Sequence, residues 1–239
     1  MIFKERMSNG LQFYFNYSFS EKEDDNGTYR DGYTPLRVER SRGLIDEPSI
    51  VNATTIYQLP FGAGHALGSG NAVARTLAGG WLISGICTYN SGIPLAIVAS
   101  GCTAQNEGQC MPNDNTAYGG PVRINGNYGR GQIALNLVNY LAPQAFINTP
   151  PIYTFDNVQR TAPDRLRGPT SYDLDMSLKK NIKITEKRNA VFDISAYNVT
   201  NVTIFCGPAV NVGSPSTFGQ VSSQSNNSGD IQLALRINC

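Results

Sequence analysis

Six separate stretches of this chain place apolar residues at every second position, and this alternation constrains the fold more than any other feature. Successive side chains of a strand point to opposite faces, so each stretch reads as a strand with one apolar and one polar face. Leu11 to Ser20 sets Leu11, Phe13, Phe15, Tyr17 and Phe19 against Gln12, Asn16, Ser18 and Ser20. Ile50 to Leu59 sets Val51, Ala53, Tyr57 and Leu59 against Asn52, Thr54 and Gln58, with Ile56 breaking the pattern. Trp81 to Ser91 sets Trp81, Ile83, Cys87 and Tyr89 against Ser84, Thr88 and Asn90. Tyr172 to Ile184 opposes Tyr172, Leu174, Met176, Leu178 and Ile182 to Asp173, Asp175, Ser177 and Lys179. Ala190 to Asn198 opposes Phe192, Ile194 and Ala196 to Asp193, Ser195 and Tyr197. Ile231 to Cys239 opposes Ile231, Leu233, Leu235 and Ile237 to Gln232, Arg236 and Asn238.

The links between these strands alternate in length. Residues 21–48 form a 28-residue link with 13 charged residues, 60–80 a shorter Gly-rich one, and 92–171 a very long one. Residues 185–189 form a tight turn and 199–230 another long link. Unstructured links of such length are uncommon in a compact soluble domain. They are expected of an antiparallel transmembrane β-barrel, with long loops outside the cell and short periplasmic turns. The predicted fold is therefore all-β: an antiparallel barrel segment of about six strands. The rival is a soluble β-sandwich with one wet face, but a sandwich carries turn signals every ~8–12 residues.

The barrel reading fixes an orientation. Trp81 falls at one membrane interface and Tyr89 near the other. Tyr57 closes its strand at the periplasmic interface, while Tyr17, Phe19 and Tyr172 lie at the outer one, so aromatics mark both interfaces. Asp173, Asp175, Lys179, Asp193 and Arg236 face the lumen. Slipping the register by one would turn them to lipid, where a midplane Lys or Arg costs roughly 2–4 kcal/mol. Lys180 falls on the apolar face, close enough to the periplasmic turn to snorkel into water.

Composition agrees. Only 15% of residues are charged and the net charge is +1, which argues against a nucleic-acid-binding surface. Mean hydropathy is −0.25, and no apolar run approaches the ~20 residues of a transmembrane helix. The first residues carry no apolar signal-peptide core.

Eight segments, in order, resemble one family. They are Ser8-Asn9-Gly10-Leu11-Gln12-Phe13 with Tyr17-Ser18-Phe19-Ser20, Tyr57-Gln58-Leu59-Pro60-Phe61-Gly62, and Gly79-Gly80-Trp81-Leu82-Ile83-Ser84-Gly85-Ile86. Next come Ser91-Gly92-Ile93-Pro94-Leu95, Leu166-Arg167-Gly168-Pro169, and Asp173-Leu174-Asp175-Met176-Ser177-Leu178-Lys179-Lys180-Asn181. Tyr197-Asn198-Val199-Thr200-Asn201 and Ile231-Gln232-Leu233-Ala234-Leu235-Arg236 complete the series. Together they resemble the C-terminal barrel portion of Oar-like TonB-dependent receptors of the Gram-negative outer membrane.

That resemblance implies that residues 1–239 are the C-terminal part of such a barrel, with the plug, the TonB-binding segment and most strands absent. Met1 then falls in a strand that ends at the Ser8-Asn9-Gly10 turn. The chain closes on Cys239, where the family ends in an aromatic. The implied function is a receptor or transporter fragment that supplies barrel wall and extracellular ligand-contacting loops. The implied partners are outer-membrane lipid, the rest of the barrel and plug, the TonB system through the missing part, and an unknown extracellular ligand. The alternative function is a secreted or surface β-rich binding or adhesion module.

Nothing in the sequence points to an enzyme or a cofactor. His65, the only histidine, lies in a Gly-rich link without a G-x-S-x-G partner. Gly62, Gly64 and Gly68 give only part of a dinucleotide fingerprint. Glu21, Glu23, Asp24 and Asp25 cluster just outside the first strand, where Ca²⁺ or a ferric ligand could touch them; a solvated loop is the default. Asp173 and Asp175 could bind a cation or act as acid and base, but lining the wet lumen or pairing with a neighbouring strand's Arg is the default. Asn-x-Ser/Thr sequences at Asn52, Asn198, Asn201 and Asn226 carry no meaning in a bacterial barrel. Cys102 and Cys110 lie in a link assigned to the oxidising exterior and form a disulfide or remain two loop thiols.

Overall fold

A computed structural model describes the chain apart from residues 26–39, 62–76, 101, 103–109, 125–139, 149–153, 155, 162–164, 186–187 and 239. His65, most of the Gly-rich link and Cys239 thus lie outside the described residues.

Seven long strands form one antiparallel sheet: β1 (Ile2–Ser8), β2 (Leu11–Phe19), β5 (Ser49–Gln58), β6 (Trp81–Asn90), β9 (Ser171–Lys183), β10 (Asn189–Tyr197) and β11 (Asp230–Asn238). Their order in the sheet follows the chain, so every long strand pairs with its predecessor. Two short ribbons, β3 (Glu23–Asp24) with β4 (Ser41–Arg42) and β7 (Asn113–Asp114) with β8 (Phe146–Ile147), belong to the long links. The seventh long strand, β1, is the one foreseen before the Ser8-Asn9-Gly10 turn. Asn9 (φ 51°) and Gly10 (φ 82°) both take the left-handed backbone that a tight hairpin needs. The sheet remains open, with β1 and β11 as its edges.

The pairing register shows that the alternation of each strand is shared by all. Leu11–Tyr57–Ile83–Leu178–Ile194–Leu233 is one unbroken row of directly opposed residues across six strands. A second row is Tyr17–Val51–Tyr89–Tyr172. Directly opposed residues share a face, so the apolar residues of every strand form one continuous surface. The opposite face holds Asn16, Asn52, Thr88 and Asp173 in one row and Lys179, Asp193 and Ala234 in another. Ile56, which breaks the alternation, opposes Ser84 on the polar face.

The buried core is not on the sheet. It consists of Leu95, Ile97, Tyr140, Leu141, Ala142, Ala145, Phe146, Val158, Leu166, Val212, Phe218 and Val221, all from the links 91–170 and 198–229. The expectation of unstructured long links is therefore corrected. Their apolar residues follow no period, yet they pack: Phe146 and Phe218 meet edge to face with centroids 5.9 Å apart. Backbone bonds from Val98 to Val210, from Val212 to Val98 and from Tyr140 to Gly219 tie the two links together.

The link 20–48 joins the same body. Ser41 Oγ lies 2.8 Å from Thr161 Oγ1, and Arg160 donates to the Asp24 carboxylate at 2.5 Å. All three long links leave the same end of the sheet, so they form one cap there.

Candidate functional site

Two surfaces bring functional groups together: the polar face of the sheet and the cap at its long-link end.

On the polar face, Lys179 of β9 reaches Asp193 of β10 at 3.2 Å, and Ser177 and Ser195 donate to the same carboxylate at 3.0 and 3.1 Å. Cross-strand pairing of Asp193 with Lys179 puts these groups side by side. Arg236 borders the shallow 150 Å³ hollow that Lys179 and Asp193 also line. Asp175 turns to a structural task, accepting the Asn198 backbone N–H at 2.8 Å. Asp173 and Asp175 share a 340 Å³ recess with Asp230 and Asn226, and Asp173 Oδ1 is buried there without a hydrogen-bond partner among the described residues. No group of three or more His, Cys, Asp or Glu suited to a metal is found among the described residues.

On the apolar face, aromatics mark both ends of the strands, and Phe13 and Phe15 of β2 lie between them. Tyr17, Phe19, Tyr89 and Tyr172 lie at the long-link end, Tyr57 and Trp81 at the short-link end. Eight residue steps separate Trp81 from Tyr89, about 26 Å along the strand at ~3.3 Å per step. A strand tilt of ~35–45° lowers that to about 20 Å, which fits within the ~25 Å apolar band of such barrels. Lys180 departs from expectation. It is buried, at 4% exposure, rather than extended into water. Its ammonium donates to the carbonyls of Leu77 and Gly79 and lies 5.1 Å from the Trp81 ring centroid. These carbonyls replace water as its acceptors, and the ring adds a cation–π contact.

In the cap, arginines organise the acidic cluster. Arg42 meets Glu21 at 3.0 Å and Glu23 at 3.7 Å, Arg40 meets Glu23 at 3.3 Å, and Arg160 takes Asp24. Three of the four carboxylates considered for cation contact thus serve guanidinium groups instead. Arg167 carries more. It donates to the Asp46 carboxylate at 2.5 Å, to the Asp46 carbonyl at 2.7 Å and to the Gly92 carbonyl at 3.1 Å. Burial alone would raise the Asp46 carboxyl. The Arg167 hydrogen bond, the Lys22 N–H and the nearby guanidinium charges outweigh it, leaving Asp46 below its ordinary value. The sequence reasoning assigned Arg167 no role. Its signal was present in the two short motifs around Gly92 and Arg167, which prove to be paired: Gly168 N–H donates to Ile93 and Leu95 N–H to Leu166. A side chain on Gly92 would overlap the Gly168 carbonyl, which explains that glycine.

Cys102 and Cys110 form a disulfide in the cap, with Cα atoms 5.6 Å apart. Among the described residues Cys87 and Cys206 are free.

An open antiparallel wall with one continuous apolar face, one charged face, and aromatics at both strand ends defines an outer-membrane β-barrel protein. The sequence model of the family described as outer membrane beta barrel domain matches residues 1–236, and the chain belongs to that family. The protein is thus placed in the outer membrane, its apolar face toward lipid and its polar face toward the lumen. By the general rule for these barrels, the cap is extracellular and the short turns periplasmic. No curated protein and no solved structure matches the chain.

Proposed function

We propose that the chain is the C-terminal portion of the barrel of an Oar-like TonB-dependent receptor, forming wall and ligand-facing cap. One observation carries the choice of a wide, filled barrel over a small one. Seven consecutive strands pair without closing while their lumen face holds Asp173, Asp175, Lys179, Asp193 and Arg236. An eight-stranded barrel fills its interior with its own side chains, whereas transporters of about 22 strands hold a separate plug in a polar lumen. The ordered series of motifs supports the receptor assignment within that class. In this reading the wall contributes no catalysis and binds no cofactor. Its partners are outer-membrane lipid, the remaining strands and plug, TonB through the plug side, and an extracellular ligand at the cap.

The test is a photocrosslinking amino acid at Gln232 of the protein in native outer membranes. The expected result is an adduct with a plug segment encoded in frame upstream. Adducts with lipid, or the absence of any plug-encoding frame, would overturn the receptor reading.

A further inference from the structure

A cleft of about 860 Å³ opens where the β3–β4 ribbon and the outer end of the β2–β5 ladder meet Gln159, Arg165 and Arg167. Its charged lining is Arg40, Arg42, Arg165 and Arg167 against Glu21 and Glu23. Arg167 is engaged by the buried Asp46, and Arg40 and Arg42 share the two glutamates. Arg165 adds an exposed guanidinium for which the lining holds no further carboxylate.

Two features mark the site as built for an acceptor. Arg42 Nη1 is buried and has no aligned hydrogen-bond acceptor among the described residues; its Glu21 contact is an ion pair by distance, out of line for a hydrogen bond. Arg165 holds φ 61°, a left-handed backbone that a branched or long side chain rarely adopts and that persists where its surroundings impose it.

The remaining lining states what kind of molecule brings the acceptor. Phe19 and Ser49 border the cleft, and they are the outermost opposed pair of β2 and β5 on the lipid face. Below Phe19 on the same face run Tyr17, Phe15 and Phe13, with Phe3 packed on Phe13 at 6.2 Å between centroids. A guanidinium cleft at headgroup level thus stands directly above an aromatic column at acyl-chain level.

We propose that this cleft binds the phosphate of an outer-leaflet glycolipid, with an acyl chain laid along Phe19, Tyr17, Phe15 and Phe13. Arginine forks match phosphate oxygens bidentately, and basic pockets beside a membrane span are suited to lipid headgroups. The inference rests on membrane placement and not on the receptor reading, so either stands if the other fails.

The test uses the full chain in detergent micelles with three probes: diphosphorylated lipid A, the same lipid dephosphorylated, and inorganic phosphate. Wild type is expected to bind the diphosphorylated lipid and to lose roughly tenfold in affinity with the dephosphorylated one, the equivalent of about one charged hydrogen bond. Arg165→Gln alters an exposed side chain, so it is expected to fold normally and to lose a similar factor. Arg42→Lys, which keeps the charge, is expected to lose less than Arg165→Gln. Phe19→Ala is expected to weaken lipid A binding and leave any phosphate binding unchanged. Equal binding of the two lipids, or full binding by a correctly folded Arg165→Gln, overturns the proposal. Displacement of the lipid by millimolar inorganic phosphate would also overturn it, in favour of a site for a free anion.

Discussion

Arg167 is the residue on which the cap converges, since one guanidinium holds the Asp46 turn and the exit of β6 at Gly92 together. Asp46 is 2% exposed. Arg167→Ala would strand its carboxylate, and we expect a loss of roughly 2–4 kcal/mol in cap stability. That lies toward the lower side of the buried-pair range because Arg167 itself is partly exposed. Differential hydrogen exchange at Ile93 and Leu95 would read it. The pH dependence follows in sign. Asp46 is held below its ordinary value of 3.8, so its contribution is complete above that value and declines as pH falls through the lower folded one. The thermal midpoint should therefore be flat from pH 7 to about 5 and fall below about 4, with Asp46→Asn flattening the acid limb. At Cys102–Cys110, thiol titration of denatured, unreduced chain should find three free thiols among the five cysteines; five would deny the bridge. Reduction should loosen the cap locally by no more than about 2–3 kcal/mol. The Arg160–Asp24 and Arg167–Asp46 pairs were not legible in the sequence, because they join residues more than a hundred positions apart. Only the cysteines, eight apart, announced their contact.

At the scale of elements, strand identity and facing were legible because the two solvents are different. Lipid on one side and a wet lumen on the other write a period of two into every strand, and boundaries fell within a residue or two of their observed positions. The links gave no such signal. Ile97, Leu141, Val158 and Phe218 are buried by tertiary packing among themselves, which imposes no repeat on the sequence. A specific pair of substitutions probes the facing. Ile194 lies between Leu178 and Leu233 on the lipid side, and Gln232 faces the lumen on β11. Ile194→Lys should cost about 2–4 kcal/mol in a urea titration from detergent micelles, whereas Gln232→Lys should change little, within about 0.5 kcal/mol. Equal effects would contradict this facing, and reversed effects would mean that the faces are assigned the wrong way round. The turn after β10 is a further element with a readable cause. Asn198 and Asn201 both adopt left-handed backbone, and the Asn198 amide donates to the carbonyls of Val202 and Asn227. Asparagine tolerates that conformation better than most residues, which gives the Tyr197–Asn201 motif a physical reason.

For the whole molecule, the two halves keep their apolar groups differently. The cap packs a buried core of its own, while β11 of the wall leaves Ile231, Leu233, Leu235 and Ile237 each more than 60% exposed. Lipid or detergent is the medium that covers them. The chain should accordingly sediment with membranes or require detergent, and a monodisperse monomer in detergent-free buffer would contradict the wall assignment. The order of the strands carries one more consequence, a matter of parity. β1 runs from the cap end to the short-turn end, and so does β11, because an odd number of strands lies in the meander from one to the other inclusive. Joined directly, the two edges would meet as a parallel seam, the one kind of contact found nowhere else in this sheet. A ring that alternates throughout must have an even count. Whatever completes this wall in a fully antiparallel ring therefore contributes an odd number of strands, the first and last of them both climbing toward the cell exterior.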